Sequence, residues 1–402
     1  MAKQIKDTAI QQKKPVILFI PTLDVGGAER VCLHYVNNLQ AVHPILVLQF
    51  KRGLLLKEIR PGVTVLELNI SAPEQLYRRW PRWLHLFYHS YALLKQARKL
   101  SILAGQNRCS AVISFITIPN IIAICAKIFF KPKLKVIINV HDVTSQIIKH
   151  SGLDRYKRFL LYWLVRILYP KADSIIAVAQ GIKKDLIEHF RIPEGKITVL
   201  QNPIDIKELK RRAAEPVSCS WCTSKEGPLV IAVGRLVKLK GFDILIRAFT
   251  QLPREINARL IIIGDGEERL ALQKLIEQLG LQDRVKLLGF QENPWKYMAY
   301  ADVFVLSSLT EGLPNVIGEA LALGIPVLAT DCSPGVREYL EDGKHGLLVP
   351  PRESEALAQG IARLLSNEPL RKELAQSGQK RAAQFDLPTA VQNYEILLER
   401  IV

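Results

Sequence analysis

The chain has 402 residues, of which 49% are hydrophobic and 23% are charged, so it exceeds one ordinary core and is not intrinsically disordered. The net charge of +17 resides in residues 1–200, which contain 30 Lys/Arg and 12 Asp/Glu, whereas residues 201–402 contain 25 and 26. This asymmetry excludes a uniformly basic protein and predicts an anionic partner, such as nucleic acid, an acidic substrate or lipid headgroups, for the first half alone.

The N-terminal segment and the apolar stretches bear on whether a membrane span is expected. Residues 1–15 are polar and lack the apolar segment of a secretory signal. The longest apolar stretch, Phe159–Tyr169, is interrupted by Arg166 and is much shorter than the ~20 residues that span a bilayer. We therefore expect a protein on the cytoplasmic side of the membrane.

Six cysteines are present, and Cys219 and Cys222 form the one C-x-x-C pair in the sequence. Such a pair is half of a common zinc site, but no second pair completes it. The spacing therefore favours reduced thiols without a role over a zinc site. This cysteine usage is compatible with a reducing compartment.

Short runs rich in Val, Ile and Leu alternate along the chain with longer amphipathic stretches. Runs that are apolar on both faces, separated by helical segments, are typical of parallel strands covered by helices on both sides. The predicted strands are Val16–Ile20, Ile45–Phe50, Ala111–Phe115, Val136–Val140, Ser174–Val178, Ile197–Leu200, Leu229–Val233, Leu260–Ile263, Val285–Leu288, Val303–Leu306 and Pro326–Ala329.

The alternating pattern restarts near residue 228, after a polar stretch that contains Pro and Gly and is typical of a linker or surface loop. The sequence therefore predicts an α/β protein with two tandem doubly wound, Rossmann-like domains. We place the domains at residues 15–205 and 228–385, with a linker at 206–227. Residues 386–402 are expected to form a closing helix.

Ligands of open parallel sheets bind outside the carboxyl ends of the strands, so the residues that directly follow strands are candidates. Gly26 and Gly27 precede a helical stretch, where paired glycines let the backbone approach a ligand, although a tight turn explains them equally well. His141 and Asp142 follow another strand. A histidine there can bond substrate hydroxyls and the Asp could orient a neighbouring group, but a lone histidine is more often structural.

The first strand of the second domain leads into GRLVKLKGFD, which places Arg235 and Lys240 around the entry to a helix. Two cations and a helix N-terminus form a favourable site for a diphosphate. A solvated loop with ordinary surface charge is the alternative.

The turn after Leu260–Ile263 is Gly264-Asp265-Gly266, similar to the start of a dinucleotide-binding fingerprint. Arg269 stands where the third glycine of that fingerprint would be. This departure argues against a nicotinamide-dependent dehydrogenase.

The strand Val303–Leu306 leads into a segment in which Pro314 suits the first turn of a helix and Gly324 suits its end. Glu311 lies in the loop before this helix and Glu319 lies within it. A carboxylate beside a helix N-terminus is readily ionised and can accept hydrogen bonds from two sugar hydroxyls. Helix capping is the alternative role for Glu311.

Taken together, these segments resemble glycosyltransferase family 4. They are GGAER at 26–30, GRLVKLKGFD at 234–243, GDGEER at 264–269 and the pair Glu311/Glu319. They occur in the family's order and spacing and cover both domains from about residue 16 to 385. The resemblance implies a GT-B fold, in which two Rossmann-like domains face a central cleft and the closing helix usually crosses back to the first domain.

The resemblance also implies roles for individual positions. Arg235 and Lys240 are expected to neutralise the donor diphosphate as it leaves. Glu311 is expected to hold hydroxyls of the donor sugar, and Glu319 to bind the nucleotide ribose. His141 is expected near the transferred sugar. The other expected substrate contacts are Gly26, Gly27, Asn202, Gly264 and the backbone of Leu313, Pro314, Asn315 and Val316.

The family's reaction retains the anomeric configuration, and the donor's own phosphate oxygen accepts the proton of the acceptor. The enzyme then mainly positions the reactants and stabilises charge on the departing diphosphate. None of the 14 Asp residues has another Asp two positions away, so the Asp-x-Asp of metal-dependent transferases is missing, and we expect no divalent metal and no cofactor. One departure is visible: Val178-Ala179-Gln180 lacks the serine that the family often has there, which leaves acceptor or interdomain contacts of this segment open.

Basic and aromatic residues are interleaved in two segments of the first half, at 78–99 and 156–169. Such helices are typical of an anionic membrane interface, and a core helix with a basic solvent face is the alternative. We therefore expect a protein that binds the inner face of the cytoplasmic membrane and uses a lipid-linked saccharide acceptor, with a soluble acceptor as the alternative. The expected donor is a UDP-linked hexose or N-acetylhexosamine, ahead of GDP-mannose.

Two other classes of protein share features with this sequence. A nucleic-acid-binding protein would account for the charge, but the sequence contains no recognised nucleic-acid-binding module, so no such partner is expected. A noncatalytic nucleotide-sugar-binding protein of the same fold is not distinguished from an enzyme by the motifs.

Overall fold

A computed structural model describes residues 13–68, 82–150, 152–223 and 226–402. Within these ranges, no helix is both long and apolar enough to cross a membrane. The described residues form two parallel sheets with interleaved helices, as the sequence predicted.

The first sheet has seven strands in the order β3-β2-β1-β4-β5-β6-β7. These strands are β1 Pro15–Ile20, β2 His43–Leu48, β3 Thr64–Glu67, β4 Ala111–Phe115, β5 Lys135–Val140, β6 Ser174–Ala177 and β7 Ile197–Val199. The helices of this part are α1 Gly27–Asn38, α2 Arg82–Gln106, α3 Thr117–Phe129, α4 Thr144–His150, α5 Arg155–Leu168 and α6 Gln180–Phe190. In the parallel ladder, Ile17 of β1 lies opposite Ile45 of β2 and Val112 of β4.

The second sheet has six strands in the order β10-β9-β8-β11-β12-β13. These strands are β8 Leu229–Val233, β9 Arg259–Ile263, β10 Val285–Gly289, β11 Val303–Leu306, β12 Val327–Thr330 and β13 Leu347–Val349. The remaining helices are α7 Ile206–Ala213, α8 Ser220–Thr223, α9 Phe242–Thr250, α10 Arg269–Gln278, α11 Trp295–Met298, α12 Asn315–Ala322, α13 Pro334–Leu340, α14 Ser354–Ser366, α15 Glu368–Ala382 and α16 Leu387–Ile401.

The inner strands are buried on both faces, which explains their continuous runs of Val and Ile. Every residue of β4 and of β9 is buried, including Arg259 at the start of β9. The core of the second sheet packs β8 and β9 against apolar side chains of α9 and α14, such as Phe249 and Ile361.

Two strands, β3 and β13, were missing from the sequence prediction. Both are short and lie at an edge of their sheet. No residue of either strand is fully buried. An edge strand pairs on one side only, so it does not need the continuous apolar run by which the inner strands were recognised.

The contacts between residues divide the chain into two compact units. The first contains Met1–Asn139, Trp163–Ile176 and Val391–Val402, and the second contains Val140–Tyr162 and Ala177–Ala390. The domain boundaries inferred from the sequence stay a prediction.

The end of α16 is part of the first unit, and one tyrosine holds it there. Tyr394 is fully buried, and its ring centroid lies 4.1 Å from that of Tyr35 in α1. Asn139 Nδ2 at the end of β5 donates a hydrogen bond to the Tyr394 hydroxyl at 3.1 Å. The C-terminal segment thus closes the hydrophobic core of this unit.

The segment predicted as a linker, 206–227, contains the two helices α7 and α8. Cys219 and Cys222 are both buried there as free thiols. Burial raises the pKa of Cys222 to about 12, and the neighbouring Cys219 adds to the rise. A thiol of this kind is a poor metal ligand, because metals bind the thiolate.

Candidate functional site

The residues that the sequence singled out in the second domain lie together at the carboxyl edge of the second sheet. Arg235 and Lys240 follow β8, Gly264 follows β9, and Glu311 follows β11. Because β8 is paired with both β9 and β11 in parallel, the loops that follow these strands emerge at the same edge.

Lys240 and Glu311 form the closest charged pair of this edge. Lys240 Nζ donates to Glu311 Oε1 at 2.6 Å, and Ser308 Oγ donates to the same oxygen at 2.6 Å. Both side chains are largely buried. A carboxylate can accept further hydrogen bonds through its second oxygen, so this pair presents both a cation and an acceptor for hydroxyl groups.

The backbone around this pair is held by hydrogen bonds between the two loops. Leu309 N donates to Leu239 O at 2.8 Å, and Ser307 Oγ donates to Lys240 O at 2.9 Å. These hydrogen bonds hold the loops after β8 and β11 together and place Lys240 close to Glu311.

His141 and Asp142 belong to the second unit and lie against the same loop. A Cβ atom at Gly312 would overlap the carbonyl oxygen of His141, so a glycine is needed for this approach. Burial lowers the pKa of His141 to about 4. The imidazole is therefore neutral near pH 7 and can both donate and accept a hydrogen bond.

Asp142 connects this segment electrostatically to the charged residues. Part of its side chain reaches solvent, but the burial of its surroundings raises the pKa of its carboxyl, and repulsion from Glu311 raises it further. Lys240 and Arg235 oppose this rise. The structure thus brings together four site residues that were predicted from separate segments: Arg235, Lys240, Glu311 and His141. Asp142 interacts electrostatically with the three charged residues among them.

Glu319 lies within α12 and is held by an aromatic residue that sequence reasoning missed. The indole Nε1 of Trp295 donates to Glu319 Oε2 at 2.9 Å. Trp295 is buried, and the guanidinium carbon of Arg212 lies 4.9 Å from its ring centroid. Arg212 in turn donates to Glu292 O at 3.1 Å. The Glu319 carboxylate is therefore oriented by the Trp295 indole, on which the guanidinium of Arg212 packs.

Asn202 contacts the start of α12. Its Nδ2 donates to Asn315 Oδ1 at 2.8 Å, and Asn202 is buried. Pro314 occupies the position before the helix rather than its first turn, and Gly324 follows the helix with φ of 73°, as expected for a helix end. The cradle expected at Leu313–Val316 is thus the N-terminal end of α12, and the backbone N–H groups of a helix start favour an anion.

The glycines at 26–27 and at 264 differ in whether the backbone conformation and packing require a glycine. Gly264 has φ of 145°, and a Cβ atom there would overlap the carbonyl oxygen of Gly234, so packing alone accounts for this glycine. Gly26 precedes α1 in the first unit with an extended backbone, and an added Cβ would meet only the flexible side chain of Glu29. Gly27 is the first residue of α1. Substrate contacts of these glycines stay predictions.

The segment that lacks the family's usual serine has a different helix cap. Glu338 of α13 accepts hydrogen bonds from the backbone N–H groups of Gln180 and Gly181, both at 2.8 Å. This carboxylate caps the N-terminus of α6 from a distant part of the chain, so the helix does not need a hydroxyl at Val178–Gln180.

A cavity of about 450 Å³ opens beside the loop at Leu309 and Thr310. It is lined mainly by polar side chains, and no predicted site residue is among them. They include Ser145, Asp185, His189, Thr310 and Ser333. Ser145 N donates to Asp185 Oδ2 at 3.1 Å, so Asp185 also caps α4.

The segment predicted to bind membranes is only partly described. Arg78 and Arg79 lie outside the described residues, and the side chain of Arg82 does as well. Further along α2, Tyr91 and Lys95 are exposed. Among the described residues, no three His, Cys, Asp or Glu side chains form a group that could hold a metal ion, and independence from metal stays a prediction.

The chain matches two family models. Residues 25–208 match Glycosyltransferase Family 4, and residues 221–381 match Glycosyl transferases group 1.

Relatives of known name extend this likeness over nearly the whole chain. One is the N-acetylgalactosamine-N,N'-diacetylbacillosaminyl-diphospho-undecaprenol 4-alpha-N-acetylgalactosaminyltransferase of Campylobacter jejuni, 32% identical over 92% of this chain and 95% of that protein. Another is the N-acetyl-alpha-D-glucosaminyl L-malate synthase of Bacillus anthracis, 25% identical over 76% of this chain and 78% of that protein. The crystal structure of Anabaena HepE in complex with UDP superimposes with a TM-score of 0.76 and 23% identity, covering 96% of this chain and 100% of HepE.

Two doubly wound parallel sheets and this set of loops define a glycosyltransferase of the GT-B fold. The chain belongs to glycosyltransferase family 4.

Proposed function

We propose that this glycosyltransferase moves a hexose or N-acetylhexosamine from a UDP-sugar to a lipid-linked saccharide, with retention of the anomeric configuration, in the synthesis of a polysaccharide or glycan. The assignment of a sugar-nucleotide donor rests on one observation, which is the group of charged side chains Lys240, Glu311 and Asp142 at the edge of the second sheet. A UDP donor is supported by the UDP complex of HepE, and a lipid-linked acceptor by the name of the Campylobacter relative.

In the proposed reaction, the bond between the anomeric carbon and the diphosphate breaks, and a bond to the acceptor oxygen forms on the same face of the sugar. The acceptor hydroxyl passes its proton to an oxygen of the departing phosphate. Arg235 and Lys240 stabilise the negative charge that grows on this diphosphate, and removing such a donor costs other enzymes about 10²–10³-fold.

The remaining site residues position the donor. Glu311 accepts hydrogen bonds from sugar hydroxyls, and Glu319 accepts them from the ribose. The neutral imidazole of His141 donates to a sugar hydroxyl, a role that its low pKa supports because a charged imidazole there would be costly. The N-terminal end of α12 binds the sugar and phosphate through backbone N–H groups.

A donor panel tests the proposed function. Purified protein with UDP- and GDP-linked hexoses and N-acetylhexosamines, and with an extract of lipid-linked saccharides, is expected to release UDP from one or a few donors. The matched control is Glu311→Ala, which should lose at least ~10²-fold in rate. Release of GDP alone, or equal release by the variant, contradicts the proposal.

The acceptor part is supported by the charge of the first half and by exposed Tyr91 and Lys95 on α2. We propose peripheral binding at the inner face of the cytoplasmic membrane. A variant with Arg78, Arg79, Arg82 and Lys95 all changed to Ser should float less with anionic vesicles than the wild type. Equal flotation would mean that this segment is not a membrane contact.

A soluble acceptor is the second candidate, and one observation favours it. The Bacillus anthracis relative is named for a reaction that uses L-malate, a small soluble acid. The polar cavity beside Thr310 suits a small acceptor, since Ser145 and Ser333 offer hydroxyl groups there. Transfer to a water-soluble acceptor without vesicles would favour this candidate.

A further inference from the structure

The cavity beside Leu309 and Thr310 lies next to the charged pair of the candidate site. All of its lining residues belong to the second compact unit. Leu239 and Thr310 line it, and they directly precede Lys240 and Glu311 in the chain. Among the described residues that form its walls, none is one of those expected to bind the donor. The cavity is therefore a space beside the expected donor site that a second ligand can occupy.

Three polar side chains of the lining are available to a ligand. Gln146 lies in the first turn of α4, Thr310 follows β11, and Arg352 follows β13. Within the part of the chain that the structure describes, these three side chains make no hydrogen bond or ion pair with another protein group. Together they offer an amide, a hydroxyl and a guanidinium, which between them can both donate and accept hydrogen bonds.

The cavity also has an apolar part. Aliphatic side chains line it as well: Val143, Leu239, Leu309 and Pro334. A sugar ring matches such a lining, because its faces present C–H groups to aliphatic side chains and its edges present hydroxyls to polar ones. The volume of about 450 Å³ lies within the range of ~300–1,000 Å³ that is usual for ligand pockets.

The charges around the cavity cancel. Lys184 and Arg352 are basic, and two acidic residues, Asp185 and Glu188, face them. Lys184 Nζ lies 3.8 Å from Glu188 Oε1, and the buried Asp185 accepts a hydrogen bond from Ser145 N at 3.1 Å. An anionic ligand would meet two carboxylates here as well as two cations, so its charge would gain little. An uncharged ligand that carries hydroxyl groups therefore matches this cavity better than a phosphate or a carboxylate.

Arg352 has a backbone conformation that favours glycine. Its φ is 69°, in the left-handed region where a residue with a Cβ atom is strained. Strained residues of this kind cluster at ligand-binding sites. The side chain is exposed, and its guanidinium can donate several hydrogen bonds in a fixed fork. Arg352 is therefore suited to hold two neighbouring hydroxyl groups of one ligand.

We propose that this cavity binds the terminal sugar ring of the acceptor. Gln146, Thr310 and Arg352 form hydrogen bonds with the hydroxyls of the ring, and the aliphatic side chains pack on its C–H groups. This inference rests on the proposed saccharide acceptor and places its reacting sugar beside Glu311, which is expected to hold the donor sugar. It selects a neutral sugar over a small acid such as L-malate.

Saturation-transfer NMR of the full chain, with and without UDP, tests the cavity. The probes are the methyl glycosides of glucose, galactose, N-acetylglucosamine and N-acetylgalactosamine, with L-malate and inorganic phosphate as the competing classes. At least one glycoside should bind to the wild type. Thr310→Val and Arg352→Gly should each weaken its binding about tenfold, whereas Arg363→Ala, at an exposed arginine of α14, should not.

Both cavity variants are chosen to keep the fold. Thr310→Val keeps the branched shape of the side chain, and Arg352→Gly places a glycine where the backbone is left-handed. Thermal unfolding of each variant checks this. Glu311→Ala is the second control, because it changes the expected donor site and should leave glycoside binding in the cavity unchanged.

Four results would overturn the proposal. The first is that no glycoside of the panel binds to the wild type in either condition. The second is that both cavity variants bind the glycoside like the wild type. The third is that L-malate or phosphate binds in an Arg352-dependent way and no glycoside does. The fourth is that Glu311→Ala alone abolishes glycoside binding, because the sugar would then occupy the donor site.

Two further measurements separate this inference from the proposed function. With the extract of lipid-linked saccharides, the acceptor KM of each cavity variant should rise about tenfold, whereas the Kd for UDP from isothermal titration should not change. If the wild type releases no UDP from any donor but binds the glycoside through Arg352, the cavity assignment stands and the proposed donor fails. If UDP is released and the acceptor KM of both variants is unchanged, the proposed donor stands and the cavity assignment fails.

Discussion

Lys240 Nζ lies 2.6 Å from Glu311 Oε1, so the cation expected to meet the donor diphosphate is paired with the carboxylate expected to hold the donor sugar. The pair joins the loops after β8 and β11, and Ser308 donates to the same carboxylate oxygen. Each charge is thus positioned by the other as well as by the main chain. This arrangement has consequences that can be measured.

The first prediction concerns the coupling of this pair. Lys240→Ala and Glu311→Ala should each reduce transfer by about 10²-fold, and the double variant should lose much less than the product of the two. Lys238→Ala on the same turn is the control, because Lys238 is exposed. Steady-state rates with saturating acceptor measure the effect. Strictly multiplicative losses would show that the pair does not act as a unit.

The second prediction assigns a positioning role to Trp295. Trp295→Phe removes the hydrogen bond to Glu319 but keeps an aromatic ring. The Kd for UDP should rise about tenfold, which corresponds to ~1.4 kcal/mol. Deoxyribose analogues of UDP should bind wild type and variant equally, because they lack the ribose hydroxyl from which Glu319 is expected to accept a hydrogen bond.

Tyr297→Phe is the control for this measurement, since it removes a hydrogen bond in the same helix, to Gln291 rather than to Glu319. Isothermal titration gives both sets of Kd values. An equal loss of affinity for UDP and for its deoxyribose analogues would mean that Trp295 supports packing only.

The third prediction is that transfer does not need a divalent metal. Chelation with EDTA should leave the rate unchanged, because Arg235 and Lys240 are expected to face the diphosphate. Arg235→Ala should lose transfer with the fold intact, whereas Arg247→Ala, an exposed arginine on α9, should not. A rate that falls in EDTA and returns with Mg²⁺ or Mn²⁺ would refute this prediction.

The fourth prediction links His141 to stability in acid. Burial lowers the pKa of His141 to about 4 from an ordinary value of 6.5. Between these values the unfolded chain binds a proton that folded His141 does not, so the free energy of unfolding falls as the pH drops from 6.5 toward 4. At pH 5 this contribution amounts to roughly 2 kcal/mol.

Denaturant unfolding of wild type and His141→Gln at pH 7 and pH 5 measures the difference. The variant should lose less stability between the two pH values. The imidazole of His34, whose pKa is also lowered to about 4 by desolvation and by Arg30, is common to both proteins and cancels in the comparison. Identical losses would show that His141 is not a buried neutral group.

The sequence predicted the fold class and the inner strands well, because a parallel strand covered on both faces needs an apolar run that can be read directly. The edge strands β3 and β13 have only four and three residues and were missed. Ser308 stands three residues before Glu311, which is a common spacing in turns. Its hydrogen bond to Glu311 could therefore have been expected from the sequence. Nothing in the sequence connects Trp295 to Glu319, or Glu338 to the start of α6.

The sequence by itself determined which residues follow the strands, and therefore that Arg235, Lys240 and Glu311 emerge at one edge of the second sheet. Only the tertiary structure decided that His141 and Asp142 lie against the same loop, and that Trp295 donates a hydrogen bond to Glu319. The physical reason is the range of the interactions. The positions of strands along the chain follow from local patterns of burial, whereas a hydrogen bond between side chains depends on which distant segments pack together.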